Sequence, residues 1–348
     1  MATEAPPFWW EKPDWRARAL LPLSSVYGAV ARLRLKGAPR VRVGAPVMCV
    51  GNLTVGGAGK TPVALALAAA ARSAGLSPGF LSRGHGGSFR EPHRVDARTD
   101  SARHVGDEPL LLAEAAPTVV TADRAAAARL LIAGGCDFLI MDDGFQSARI
   151  HMDFALLVVD ARRGLGNGHV IPGGPVRAPV LDQLRLADAV LRMGEGGAAD
   201  ALVRRAARAG RAVYDAVARP RPDSRVAGRR FLAFAGIGNP AKFFDSVGEA
   251  GGTVVEARSF ADHHVFSDEE LAELTGAARD AGLDLVTTAK DAARLRHGSA
   301  AAGAMLERAV VLEIEVAFEP PDLAERIVAE TQRNWRRRLL AESTPAAG

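Results

Sequence analysis

Cysteine is nearly absent from this chain of 348 residues: there are two, Cys49 and Cys136, each inside an apolar, strand-like run. So few thiols, without metal-ligand spacing, exclude a disulfide scaffold and a zinc module and read as small core residues of a reducing compartment. Aromatic residues are also scarce, at 5%. The interleaving of basic and aromatic residues that marks an RNA or DNA module is missing, and no nucleic-acid partner is expected. No apolar stretch approaches the ~20 residues of a spanning helix. No basic start followed by an unbroken apolar core marks a signal peptide either. Charge of one sign is lacking too: 44 Lys+Arg stand against 40 Asp+Glu, for a formal net charge of +4. The resulting pI near 9.4 suits phosphate ligands or anionic lipid. What remains, 48% hydrophobic, is an ordinary globular composition with length enough for two cores.

The few aromatics are unevenly placed. Residues 1–40 hold three of the four tryptophans (Trp9, Trp10, Trp15) and Tyr27, interleaved with Arg16, Arg18, Arg32, Arg34, Lys36 and Arg40. Leu20, Leu23, Tyr27 and Val30 recur at helical spacing, which predicts an amphipathic helix starting near Pro22. Such a segment lies at a bilayer interface, with rings at headgroup depth and arginines on lipid phosphate, or packs on the protein's own core. It does not span.

Directly after this segment, an apolar run over 47–50 enters a glycine-rich turn, Thr54-Val55-Gly56-Gly57-Ala58-Gly59-Lys60-Thr61, and then an alanine- and leucine-rich helix. This order makes a phosphate-binding loop: small residues let backbone N–H groups curl round an anion and the helix N-terminus adds its positive end. Lys60 then reaches β- and γ-phosphates, and the Thr61 hydroxyl suits Mg²⁺. Thr54 stands where the general pattern has glycine.

Beyond the loop, strands over 79–82, 118–121, 137–141, 155–160 and 189–192 alternate with helices such as 123–133 and 200–209, and a strand follows over 212–218. The alternation predicts an α/β fold, a P-loop NTPase-like and mainly parallel sheet with helices on both faces. A Pro- and Arg-rich linker from 218 leads to a smaller second α/β domain, with strands over 231–235, 254–257, 284–288 and 310–314 and helices over 241–250 and 268–281. A last helix is expected over 322–340. The expected division is therefore an N-terminal interface segment 1–40, a P-loop domain 41–218, a smaller domain 219–320, and a C-terminal helix and tail 321–348.

Several constellations carry chemistry. Asp142 and Asp143 end the apolar strand Phe138-Leu-Ile-Met, where P-loop enzymes place a Mg²⁺-holding acid; Asp142 is the first choice, and a plain Asp-Asp-Gly turn is the alternative. Asp107, in Gly106-Asp107-Glu108-Pro109, fits a helix N-cap as well as a catalytic carboxylate. Arg83, after the second strand, stands where α/β sheets gather ligands and is a candidate substrate contact. The loop 162–177, rich in Gly, Pro and Arg, is long enough to be functional, with Arg163 and Asn167 as candidate contacts to a phosphorylated substrate. In Phe260-Ala-Asp262-His263-His264-Val-Phe266, Asp262 is expected to orient His263 for proton handling. Thr287-Thr288-Ala289-Lys290-Asp291 is a guanine-reading motif lacking the residue between Lys and Asp, which counts against a GTPase.

Taken together, VGNLTVGGAGKTP, SRGHGG, GDEPLLLA, DDGFQ, RRGLGNGHVIPGGPVR, AFAGIGNPAKFF, FADHHVF and TTAKDAARL resemble the tetraacyldisaccharide 4'-kinase (lipid A 4'-kinase) family, from the N-terminus to about Arg294. The Thr54 departure belongs to the family pattern, whereas His85 stands where the family has tyrosine. The resemblance implies transfer of the γ-phosphate of ATP, with Mg²⁺, to the 4'-hydroxyl of tetraacyldisaccharide 1-phosphate, giving lipid IVA. It implies a peripheral enzyme at the cytoplasmic face of the inner membrane, its chemistry lying between two hinged domains. Lys60 would neutralise phosphate charge, Thr61 with Asp142 or Asp143 would serve Mg²⁺, and Asp107 would accept the hydroxyl proton, assisted by His263 and Asp262. A membrane-peripheral P-loop ATPase or GTPase switch and a non-catalytic nucleotide-binding scaffold are the alternatives.

Overall fold

Six consecutive residues, Val47–Asn52 (β1), are all buried, and an apolar strand with no exposed face needs cover on both sides. The computed structural model supplies that cover; it describes residues 5–37, 39–84, 89, 91–146, 149–222 and 225–343. His85 lies outside the described residues.

Before β1 come α1 (Trp15–Ala19) and α2 (Leu21–Gly37). After it the chain runs α3 (Lys60–Ser73), β2 (Pro78–Ser82), β3 (His93–Arg94), α4 (Ala102–Val105), α5 (Asp107–Ala115), β4 (Thr118–Val120), α6 (Arg124–Ala133), β5 (Phe138–Asp142), β6 (Phe154–Asp160), α7 (Val180–Leu186), β7 (Ala189–Met193), α8 (Asp200–Arg208) and β8 (Ala212–Pro220). A second series follows: β9 (Arg230–Ala235), α9 (Pro240–Glu249), β10 (Thr253–Ser259), α10 (Asp268–Asp280), β11 (Asp284–Thr288), α11 (Ala289–Arg296), α12 (Ala300–Arg308), β12 (Val310–Leu312), β13 (Ile314–Glu319) and α13 (Leu323–Ser343).

The large sheet has the order β13-β8-β7-β6-β1-β5-β2-β4-β3, parallel except at its two edges. One face packs Val63, Leu67 and Ala71 of α3 with Ile327 and Val328 of α13; the other packs Ala127 and Leu131 of α6 with Leu202 and Ala206 of α8. Helices therefore cover both faces, as the alternation of elements predicts. The smaller sheet, β10-β9-β11-β12, is parallel throughout and lies between α9 on one face and α10 and α12 on the other.

One element departs from the expected strand over 310–314. The structure divides this stretch into β12, in the small sheet, and β13, which crosses back to pair antiparallel with β8 in the large sheet. The sequence of β13 explains the crossing: in Ile314-Glu-Val-Ala-Phe-Glu319 the apolar positions alternate, and Val316 and Phe318 pack on the α3–α13 core. The outgoing and returning strands run side by side, and Arg221 binds Glu313 across them through both backbone and side chain.

The N-terminal segment also differs from its expectation. Helix α2 does form, but few of its large apolar residues face the body. Ser24, Gly28 and Leu35 are buried, Ser24 Oγ accepts from Gly173 N (2.9 Å), and Arg32 pairs with Asp182 (2.6 Å). The large apolar residues Leu23, Val26 and Leu33 point away from the protein, Leu33 being 71% exposed, while Tyr27 and Val30 are partly exposed. Trp9 corrects the expectation of three headgroup-level tryptophans: it is buried and donates from Nε1 to Pro172 O (3.0 Å), so it anchors the N-terminus to the body. Trp10 is half-buried beneath the Arg163 guanidinium, and Trp15 is 75% exposed. No helix among the described residues is long and apolar enough to cross a membrane.

Candidate active site

The phosphate loop leaves β1 and enters α3, whose N-cap is Gly59 with φ +84°. Gly56 takes φ +98°. These two positions supply the left-handed turns that a β-carbon disfavours. Thr54 needs no such freedom: it bridges Val176 as a strand would, and its carbonyl accepts from Arg177 Nε (3.0 Å). Val55 N donates to Pro175 O (2.8 Å), so the loop 162–177 braces the phosphate loop from outside. Lys60 and Thr61 open α3 and are both buried.

Parallel pairing of β1 with β5 puts Val50 opposite Asp142, which places the two acids beside the strand that delivers the loop. The acids then part. Asp143 takes φ +51°, and its two oxygens receive Arg177 Nη1 (2.6 Å) and Nη2 (3.0 Å), with Lys60 Nζ at 3.5 Å. Burial works against its ionisation, but the Lys60 and Arg177 charges outweigh burial and hold its carboxyl below the ordinary range. Asp142 is fully enclosed, and its Oδ1 has no hydrogen-bond partner among the described residues. Burial first, then the Glu108 charge, pushes its carboxyl up to about 7, against the pull of Lys60. A buried acceptor left unpartnered beside a phosphate loop is the donor a divalent cation asks for, so Asp142 with Thr61 fits Mg²⁺.

Asp107 is not an N-cap. It is the first residue of α5, 4% exposed, and its Oδ2 is held from the smaller sheet by Arg294 Nε (3.1 Å), Arg294 Nη2 (2.8 Å) and His263 Nδ1 (3.2 Å). Oδ1 accepts from Glu108 N (3.0 Å). Burial alone would raise the Asp107 carboxyl; His263, Lys290 and Arg294 instead drive it far below the ordinary range. The bond to Asp107 raises the His263 imidazole above its ordinary value in spite of burial. Asp262 lies 3.9 Å from His263 Nε2, beyond hydrogen-bond reach, so the carboxylate that orients this imidazole is Asp107 itself.

Three partners escaped the motif reading. Lys290 and Arg294 lie one turn apart on α11; Lys290 Nζ reaches Glu108 (2.6 Å) while Arg294 also grips Asp291 (2.6 Å). Their i, i+4 spacing on a short amphipathic helix was the available signal. Arg177 stood inside a quoted motif with nothing in sequence to say that it meets Asp143.

A cavity of about 520 Å³ joins these groups: Arg83, Asp107, Glu108, Asp142, Asp143 and His263 line it. Its far rim is α2, through Tyr27, Val30, Ala31 and Arg34. Arg163 and Asn167 are not brought to it. Asn167 uses its side chain to tie the loop to itself and to the N-terminal segment, donating to Gly173 O (2.8 Å) and Phe8 O (3.3 Å) and accepting from His169 N (3.0 Å).

A phosphate loop, a buried unpartnered acid on the adjacent strand, and a second acid on α5 met by an imidazole from beside the smaller sheet define a P-loop phosphotransferase. The pattern of the Tetraacyldisaccharide-1-P 4'-kinase family, LpxK, matches residues 16–332. The chain belongs to that family. The Tetraacyldisaccharide 4'-kinase of Mesorhizobium japonicum is 63% identical over 98% of this chain and 99% of its own length. The one from Brucella anthropi is 53% identical over 98% and 100%. LpxK from Aquifex aeolicus, crystallised in complex with ATP, superposes with a TM-score of 0.67 over 90% of this chain and 99% of its own at 24% identity, a likeness of fold.

Proposed function

We propose that the protein transfers the γ-phosphoryl group of ATP to the 4'-hydroxyl of tetraacyldisaccharide 1-phosphate, giving lipid IVA, at the cytoplasmic face of the inner membrane. The observation that carries this reading is one cavity that joins Asp142 and Asp143 beside the phosphate loop, the Asp107–His263 pair and the rim of α2. A chamber lined by acids and arginines that opens beside an exposed apolar helix suits a substrate whose sugar is polar and whose acyl chains remain in lipid.

In this reading Lys60 exchanges Asp143 for phosphate oxygens, and Arg177 keeps Asp143 neutralised when it does. Thr61 and Asp142 would hold Mg²⁺, which would supply neutralisation of charge on the phosphate oxygens. Asp107 accepts the hydroxyl proton on Oδ1, which accepts from Glu108 N but not from Arg294 or His263. Its low basicity suits a loose phosphoryl-transfer transition state, in which the hydroxyl becomes acidic only as the bond to phosphorus forms. His263, whose imidazole the bond to Asp107 raises above its ordinary value, and Arg294 fix the carboxylate, so the alignment is built before substrate arrives. Arg83 and Arg34 line the same chamber and supply positive charge for the 1-phosphate.

Against a guanine-reading switch stand the partners of its broken motif. Lys290 is occupied by Glu108, and Asp291 by Thr288, Gly236 N and Arg294. The test incubates purified protein with γ-labelled ATP and a panel of lipid A precursors. Label in the disaccharide supports the kinase; label released only as inorganic phosphate, whatever the acceptor, supports an ATPase.

A further inference from the structure

Far along the large sheet from the phosphate loop, its edge carries a group of side chains that the proposed reaction does not use. His93 lies on the edge strand β3, Asp100 ends the turn after it, and His104 lies on α4. One ligand atom from each falls within 4.8 Å of the other two. His93 Nε2 is 2.7 Å from Asp100 Oδ2, and His104 Nδ1 is 3.7 Å from Asp100 Oδ1. We propose that His93, Asp100 and His104 form a binding site for a first-row transition-metal dication, Zn²⁺ being the commonest fit, separate from the Mg²⁺ position at Thr61 and Asp142.

The chemistry of the donors selects the metal class. Two imidazoles and one carboxylate suit Zn²⁺ and its neighbours, whereas Mg²⁺ and Ca²⁺ take oxygen ligands. Ligands bonded at about 2.0–2.2 Å to a tetrahedral centre stand roughly 3.3–3.6 Å apart, and the two measured separations bracket that spacing. The supporting shell is in place as well. Asp96 N donates to Asp100 Oδ2 (2.9 Å), the outer hydrogen bond that orients a ligating carboxylate. Phe89 stacks on the His93 ring at 5.1 Å and meets the His104 ring at 5.0 Å, fixing both imidazoles.

Three protein ligands leave a position for water, and the place of the site in the chain points to a structural task. His104 precedes Asp107 by one short turn, and the loop between His93 and Asp100 is pinned from the smaller sheet by His297 Nε2 on Ala97 O (2.8 Å). A metal there ties the edge strand, this loop and the lead into α5 together.

The experiment strips the full-length protein of metal, saturates it with Mg²⁺ and titrates Zn²⁺ alone against a chromogenic zinc chelator, with Co²⁺ as a spectroscopic probe. Expected are about one tight equivalent and a Co²⁺ d–d band, both weakened ~10–100-fold by His104→Gln, by His93→Gln and by Asp100→Asn. His169→Gln, on an unrelated loop, should leave both unchanged. Zn²⁺ should also raise the melting temperature of the wild type more than that of His104→Gln. His104 is 61% exposed, so its variant tests the site without threatening the fold. Absence of Zn²⁺ uptake at micromolar concentration, or unchanged uptake by a folded His93→Gln/His104→Gln double variant, overturns the proposal.

Discussion

Arg294 lies on α11 beside the smaller sheet and Asp107 opens α5 beside the large one, yet the guanidinium donates from two nitrogens to a single carboxylate oxygen, and both side chains are more than nine-tenths buried. The pair fixes the acid and ties the two parts of the molecule together. Removing one partner strands a buried charge, which costs about 3–5 kcal/mol. Arg294→Met should therefore lower unfolding stability by that order and reduce kcat. Arg294→Lys should recover stability in part but not turnover, because an ammonium cannot reproduce the fork. Denaturant unfolding and kcat measured on the same preparations check both; a Met variant with unchanged stability and turnover contradicts this role.

The Asp107–His263 contact makes a pH prediction whose sign follows from the two shifts. The His263 imidazole is raised above its ordinary value, so its contribution to stability is fully present below about pH 6.5, the unfolded value, and is lost as pH climbs through the folded value. The Asp107 carboxyl is depressed, so its contribution is present above about pH 4 and fails only in strong acid. The difference in melting temperature between wild type and His263→Gln should be larger near pH 6 than near pH 9. A constant difference contradicts the pairing.

Asp142 should show a conflict between stability and function. Its carboxylate is buried with one oxygen unpartnered. Asp142→Asn removes a desolvated charge, so in the absence of Mg²⁺ the variant should melt above the wild type at neutral pH. Its turnover should fall by ~10²-fold or more, and its stabilisation by MgATP should shrink. Asp143→Asn should behave differently, losing stability because Arg177 is left without its carboxylate partner. A destabilised Asp142→Asn with normal metal response would exchange the two roles.

Lys60→Ala should fold, since Arg177 still neutralises Asp143, while kcat drops by ~10²–10³-fold at saturating ATP. Near-normal turnover contradicts the phosphate-loop reading.

The N-terminal segment separates an anchor from a surface. Trp9→Ser should cost on the order of 3 kcal/mol as a buried ring is lost. Trp15→Ser and Leu33→Ser should leave melting unchanged but shift the protein from bound to free in vesicle flotation, because both side chains face outward. Unchanged flotation in a combined Trp15, Val26 and Leu33 variant contradicts membrane contact through this face.

Sequence made much of this readable where one local rule decided the outcome. The alternation of apolar runs gave the α/β sheet, and Gly59-Lys60-Thr61 gave the turn into α3, because both depend on near neighbours. The edge strand β13 escaped because its destination is set by packing on α3 and α13, far away in the chain. Trp9 escaped because an indole reads alike whether it seeks a headgroup or a carbonyl such as Pro172 O. Asp142 and Asp143 are adjacent and alike in sequence, and only the approach of Arg177 through the loop 162–177 separates them. Lys290 was visible but misdirecting, since a near-match to a guanine motif hid a helix face aimed at Asp107 and Glu108.

The most direct measurement compares tetraacyldisaccharide 1-phosphate with its 4'-deoxy analogue as acceptors for γ-labelled ATP, using wild type and Asp107→Asn. The cleft described above predicts label in the lipid only when the 4'-hydroxyl is present, and ~10²-fold slower transfer by the variant with little change in ATP affinity. Equal ATP turnover with either acceptor, or loss of nucleotide affinity in Asp107→Asn while bound substrate still reacts, would contradict it.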